Sequence, residues 1–231
     1  MTYIFTGDSW AMKAFTNENY NTGWYEESDF RLSDVWEVPY QGVYAPGRGN
    51  LDAMRHVQSL DSDRPIIWVW TEVGRDYGEV YDRPPYEWMQ RDDFFRIRAD
   101  LTDRVMATIR SNIKNPIALI GGLGDFDPVM AYAHGFHVLH PSWQRFMSEK
   151  LQSRYFQMGW GAGDIGWRQD YNDITPGPVA TFAWDEQIKE WSWWEQEGYM
   201  CHEHPTPLSC REFGAHIKDR VLTWLDPYEQ G

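Results

Sequence analysis

The run Pro65-Ile66-Ile67-Trp68-Val69-Trp70 contains no polar side chain. An unbroken apolar run of this length is the signature of a β-strand covered on both faces, where an alternating pattern would mark a strand with one wet side. A strand covered twice needs helices above and below it, so the run calls for a parallel sheet closed by crossover connections. The rest of the chain supplies the pieces. Tyr3-Ile4-Phe5 reads as a first strand stopped by Gly7, Val35–Val38 as a second, Pro116–Ile120 as a fourth that ends at Gly121-Gly122, and Phe136–Leu139 as a fifth.

Between these strands the periodicity turns helical. Asn50 closes the glycine-rich turn PGRGN (Pro46–Asn50), and LDAMRHVQSL then forms a short helix. Phe94, Ile97, Leu101, Val105, Ile109 and Ile113 recur at three- and four-residue steps, with Asp92 as N-cap of that long helix. Trp143–Phe156 and Phe182–Met200 read as helices, and a last helix from about Thr206 carries Phe213, Ile217, Val221 and Leu225 on one face. Strand and helix alternate without repeats or an evident linker. The expectation is one α/β domain over 1–231, a three-layer αβα sandwich around a five-stranded parallel sheet, with irregular aromatic-rich insertions near 75–91 and 159–178. The first of these is a loop or lid.

Charge and composition narrow the function. A net charge of −14, with Lys and Arg interspersed among acids, argues against a nucleic-acid partner, since phosphate affinity depends on clustered cations. No apolar stretch approaches the ~20 residues of a membrane span. MTYIFTGDSW lacks the basic and long apolar regions of a secretory signal, so residence in a cytoplasm is expected. Cys201 and Cys210 make no disulfide framework and no CxxC pair. The histidines at 134, 137 and 140, and His202 with His204, follow neither a helical nor a complete ligand spacing, so no metal or other cofactor is expected. Gly121–Asp125 lacks the order of a phosphate loop and reads as a turn. The aromatic share of 16%, with 14 tryptophans, is the compositional excess. Any single tryptophan reads first as core, while the clusters of Trp191, Trp193 and Trp194 and of Trp160 and Trp167 suit a cleft or a subunit contact.

In a doubly wound sheet ligands bind beyond the carboxyl ends of the strands. Ser9 in Gly7-Asp8-Ser9 follows the first strand, Gly47–Asn50 follows the second and Thr71–Arg75 the third, while Cys201-His202-Glu203-His204-Pro205 precedes the last helix. An early serine, two polar or glycine turns and a late imidazole are the parts of an acyl-transfer site. A serine hydroxyl attacks only when a neighbouring base takes its proton, and the oxyanion that forms needs preorganised N–H donors, each worth roughly 2.7–4 kcal/mol.

This order of G-D-S-W, PGRGN, IIWVWTEVGRD and H-P before a helix with Gly214 resembles the SGNH, or GDSL, hydrolase superfamily, its phage-borne members in particular. The blocks are short and span Thr6 to Leu225. The resemblance implies a flavodoxin-like sandwich, Ser9 as nucleophile and His204 as base. It further implies an oxyanion hole drawn from Ser9, Gly49, Asn50 and Thr71. Asp8, beside the nucleophile, shapes the turn in that pattern. Two departures stand out: Cys201 occupies the place of the family's aspartate three residues before the base, and Thr71-Glu72 stands where the family has asparagine. Glu72 or a carboxylate from the Gly163–Asp173 loop is the accessory candidate for the missing carboxylate, and His202 for the base. The implied activity is hydrolysis of an acyl ester or O-acetylated glycan. The competing expectation is an SGNH-like protein without turnover that meets a virion partner or its own copies.

Overall fold

The computed structural model describes residues 2–16, 26–27, 29–60, 62–71, 73–76, 79–80, 91–122, 126–151, 197, 199–201 and 204–229. In chain order the elements are β1 (Tyr3–Gly7), α1 (Ser9–Met12), β2 (Phe15–Thr16), β3 (Glu26–Glu27), a 3-10 turn (Leu32–Trp36), β4 (Tyr40–Tyr44), α2 (Asn50–Gln58), β5 (Ile66–Trp70), a second 3-10 turn (Val73–Asp76), α3 (Arg91–Asn112), β6 (Ile117–Gly121), α4 (Pro128–Ala133), β7 (His137–His140), α5 (Trp143–Lys150), β8 (Met200–Cys201), β9 (His204–Pro205) and α6 (Pro207–Glu229).

Five strands form one all-parallel sheet in the order β4-β1-β5-β6-β7. The apolar run behaves as its composition demands, because Ile66 through Trp70 are all fully buried. Its side chains divide by parity. Ile66, Trp68 and Trp70 join Ile4, Ile117 and Leu119 under α2 and α3, in a core with Leu51, Met54, Leu101, Val105 and Ile109. Ile67 and Val69 join Phe5, Ala118 and Ile120 on the other face, under α5 and α6, with Trp36, Trp143, Phe213, Ile217 and Val221. These two cores make the three layers of an αβα sandwich. No helix among the described residues is long and apolar enough to cross a membrane.

One expected strand is misplaced. Val35–Val38 is not extended: Leu32–Trp36 is a 3-10 turn, and the strand beside β1 is Tyr40–Tyr44. The turn wins because Leu32 and Trp36, four residues apart, both reach the core, where the Trp36 indole donates to the Gly214 carbonyl at 3.2 Å. Asp34 closes the turn by accepting the Arg31 N–H at 2.7 Å, and Glu37, at φ 58°, ends it in the left-handed region. Asp92 lies inside α3, which already includes Arg91, so it is not that helix's cap. Met200 is in β8 rather than at the end of a helix. The remainder of the Phe182–Met200 helix apart from 197 and 199, the end of the Trp143–Phe156 helix, the insertion near 159–178 with its tryptophans, and most of the loop before Arg91 lie outside the described residues.

Candidate functional site

The strand order reverses direction between β1 and β5: β1 is followed in sequence by β4 on one side, and the chain then crosses to β5 on the other. The crevice beyond the carboxyl ends of these two strands is where an open parallel sheet offers a ligand site. Asp8 leaves β1 there and Thr71 leaves β5.

Gly7 makes the exit from β1 possible. Its φ is 149°, and a Cβ would lie 2.6 Å from the Val69 carbonyl oxygen and 2.9 Å from the Ala11 Cβ. Asp8 then caps α1, its Oδ1 accepting the Trp10 N–H at 2.9 Å while its carbonyl accepts from Ala11 and Met12 at 3.1 and 3.2 Å. The carboxylate is 1% exposed, takes the Thr71 hydroxyl on Oδ2 at 2.5 Å, and has the Arg75 guanidinium 3.7 Å from the same oxygen. Asp8 thus shapes the turn and joins β1 to β5. Ser9 is the first residue of α1, and its backbone alone is described.

Asn50 opens α2 and is fully buried. Its Oδ1 accepts from the Thr71 N–H at 3.1 Å and the Trp68 indole at 3.3 Å, and its Nδ2 donates to the Thr71 carbonyl and to Asp76 Oδ2, both at 3.2 Å. Its backbone N–H donates to Asp76 Oδ2 at 3.0 Å, and the Leu51 N–H to Asp76 Oδ1 at 2.9 Å. Every donor of Asn50 therefore has an internal acceptor. Thr71 likewise uses its N–H on Asn50 and its hydroxyl on Asp8. Gly49 must be glycine, since a Cβ there would stand 2.1 Å from Asp76 Oδ1.

Asp76 is the residue that the sequence did not signal. Its only local mark is the short turn after β5, while its partners lie 25 and 26 positions upstream. It is fully buried, and burial pushes its carboxyl up to about 6 against the three N–H donors that favour the anion.

The imidazole side is built by the segment before α6. β8 and β9 pair antiparallel, with Cys201 and His204 as cross-strand partners, and His204 is half-buried. Thr206 fixes the following turn: its N–H donates to the Tyr199 carbonyl at 3.1 Å and its hydroxyl accepts the Ser209 N–H at 3.3 Å. α1 and β9 approach within 8 Å between Cα atoms, so the helix that begins with Ser9 borders the strand that carries His204. Glu72 and His202 lie outside the described residues, and of Cys201 only the backbone is described.

The remaining histidines scatter. His134 pairs with Asp103 at 2.7 Å, His137 stacks on Trp224 and His140 packs edge-on against Phe213. Among the described residues no group of three or more His, Cys, Asp or Glu side chains is placed to hold a metal ion. No protein-family model matches this chain, and no curated protein or solved structure is similar to it at a significant level.

Proposed function

We propose that this chain is an SGNH-like serine ester hydrolase that removes acyl groups, with O-acetylated glycans as the substrate class suggested by its aromatic excess. Ser9 is the nucleophile and His204 the base. The imidazole takes the Ser9 hydroxyl proton as Oγ attacks the ester carbonyl, then returns it to the departing alcohol. Water, deprotonated by the same imidazole, cleaves the acyl-serine. One observation carries this reading: α1, opened by Ser9 at the carboxyl end of an inner strand, borders β9 with His204, although almost the whole chain separates them.

A fluorophosphonate probe should label Ser9, and p-nitrophenyl acetate should be cleaved. Ser9→Ala and His204→Ala should each remove most of that activity, and the double variant should be little worse, because the pair acts as a unit. Cys201→Asp should raise the rate where the imidazole lacks only an orienting carboxylate. Absence of labelling across short and bulky probes would refute the hydrolase reading.

That outcome would favour a second reading, an SGNH-like interaction protein without turnover, for instance in a virion. It is favoured by the internal engagement of Asn50 and Thr71, which leaves neither side chain a free donor for an oxyanion, and by Cys201 opposite His204.

A further inference from the structure

We propose that Asp76 is the positioning residue of this site: ionised, it holds the Gly49–Asn50 turn against the exit of β5, and uptake of a single proton loosens that turn. As a positioning role for catalysis this rests on the hydrolase reading; as a proton-operated latch it does not.

Both carboxylate oxygens of Asp76 accept hydrogen bonds from the turn. Oδ1 takes the Leu51 N–H, and Oδ2 takes both the backbone N–H and the side-chain amide of Asn50. A proton on Oδ2 would point a donor at two donors, and a proton on the second lone pair of Oδ1 would turn all three charge-assisted bonds into weaker bonds to a neutral carboxyl, so either way the hold on the turn weakens. The consequence travels along contacts that already exist. Asn50 holds the Thr71 backbone at both its N–H and its carbonyl, Thr71 holds Asp8, and Asp8 caps the helix that starts at Ser9. The latch and the nucleophile's helix are therefore ends of one buried chain of hydrogen bonds.

The surroundings keep the switch near neutral pH. Burial favours the neutral carboxyl and the three amide donors favour the anion, and the balance lies at about 6. Of the charged groups around it, Glu79 adds to the upward push and is itself paired with Arg55 of α2, which also binds Asp52. Arg75, next to it on the same turn, is directed to Asp8 Oδ2. Among the described residues amide donors, and not a cation, hold Asp76.

The test follows the backbone amides of Asn50, Leu51 and Thr71 by NMR in the full chain, from about pH 4.5 to about pH 8. The three resonances should shift together with a midpoint at about 6, and Asp76→Asn should abolish the transition. Amides that do not titrate, or that titrate equally in Asp76→Asn, would overturn the proposal. If that variant does not fold, the carboxyl carbon resonance of Asp76 in the native chain decides, and a midpoint in the ordinary carboxylate range refutes it. In fluorophosphonate labelling, the ratio of the native rate to that of Asp76→Asn should fall towards one as pH drops through about 6. A ratio that does not change with pH would refute the catalytic role. No labelling at any pH would instead refute the hydrolase reading, and the amide titration would still decide the latch.

Discussion

Replacing Thr71 with valine removes one oxygen atom from the crevice and almost no volume. The hydroxyl it deletes is the Oγ1 that donates to Asp8 Oδ2 at 2.5 Å in a site with the carboxylate 1% exposed. Water cannot readily replace it. Asp8 would keep the Trp10 N–H on its other oxygen and the Arg75 guanidinium at 3.7 Å, too long for a hydrogen bond. A hydrogen bond to a charged group contributes about 1.5–3 kcal/mol, and a buried acceptor left without its donor costs a similar amount, so the loss should be about 2–3 kcal/mol. For a chain of this length that corresponds to a fall in Tm of roughly 4–12 °C. Urea denaturation at neutral pH, fitted with a common m-value, measures it directly. Thr71→Ser keeps the hydroxyl and should cost less than half as much. A Thr71→Val loss below about 0.5 kcal/mol would refute the reasoning, because the bond from β5 to Asp8 would then contribute nothing net.

Two further substitutions test other parts of the fold. Burial, then the neighbouring His216 and Arg220, push His140 down to about 4 from the ordinary 6.5. The unfolded chain takes up that proton first, so this group removes up to about 3 kcal/mol of stability as pH falls from 6.5 to 4. Asp76 acts in the opposite sense, because its folded carboxyl binds a proton before the unfolded one does. His140→Gln should therefore lose less stability than the native chain on acidification, measured by urea denaturation at about pH 7 and about pH 4.5, and parallel losses would contradict the assignment. Gly214→Ala places a Cβ 2.8 Å from the Val35 side chain and should cost about 1–3 kcal/mol by the same method, with only part recovered by adding Val35→Ala, which removes both Cγ atoms but keeps the Val35 Cβ at 2.8 Å.

The sheet was readable wherever burial on both faces left no room for polar residues, as at Ile66–Trp70 and Ile117–Gly121. The edge strand was not. Tyr40–Tyr44 has Gln41 and Gly42 exposed, and its partial burial dilutes the strand pattern, while the more apolar Leu32–Trp36 sends its two large side chains into the core from a turn. That Ser9, Gly49, Asn50 and Thr71 stand beyond the carboxyl ends of strands was legible because turns after strands carry recognisable residues. The role of Asn50 was not, since its engagement with Trp68, Thr71 and Asp76 depends on tertiary contacts that no local spacing encodes. Asp76 was invisible for the same reason.

The two faces of the sheet mature at different times during synthesis. Among the described residues, the core under α2 and α3 takes its last buried member at Phe136 and its last packed one at Val138, so those parts are all present once β7 has been made. The opposite face keeps Phe5, Trp36, Ile67, Val69 and Ile120 waiting for Phe213, Ile217, Val221 and Leu225. At ~5–20 residues per second the ribosome needs several seconds to deliver α6 after β7. Through that interval the face lacks α6, so whatever covers Phe5, Trp36 and Val69 in its place acts on the nascent chain rather than on the finished protein.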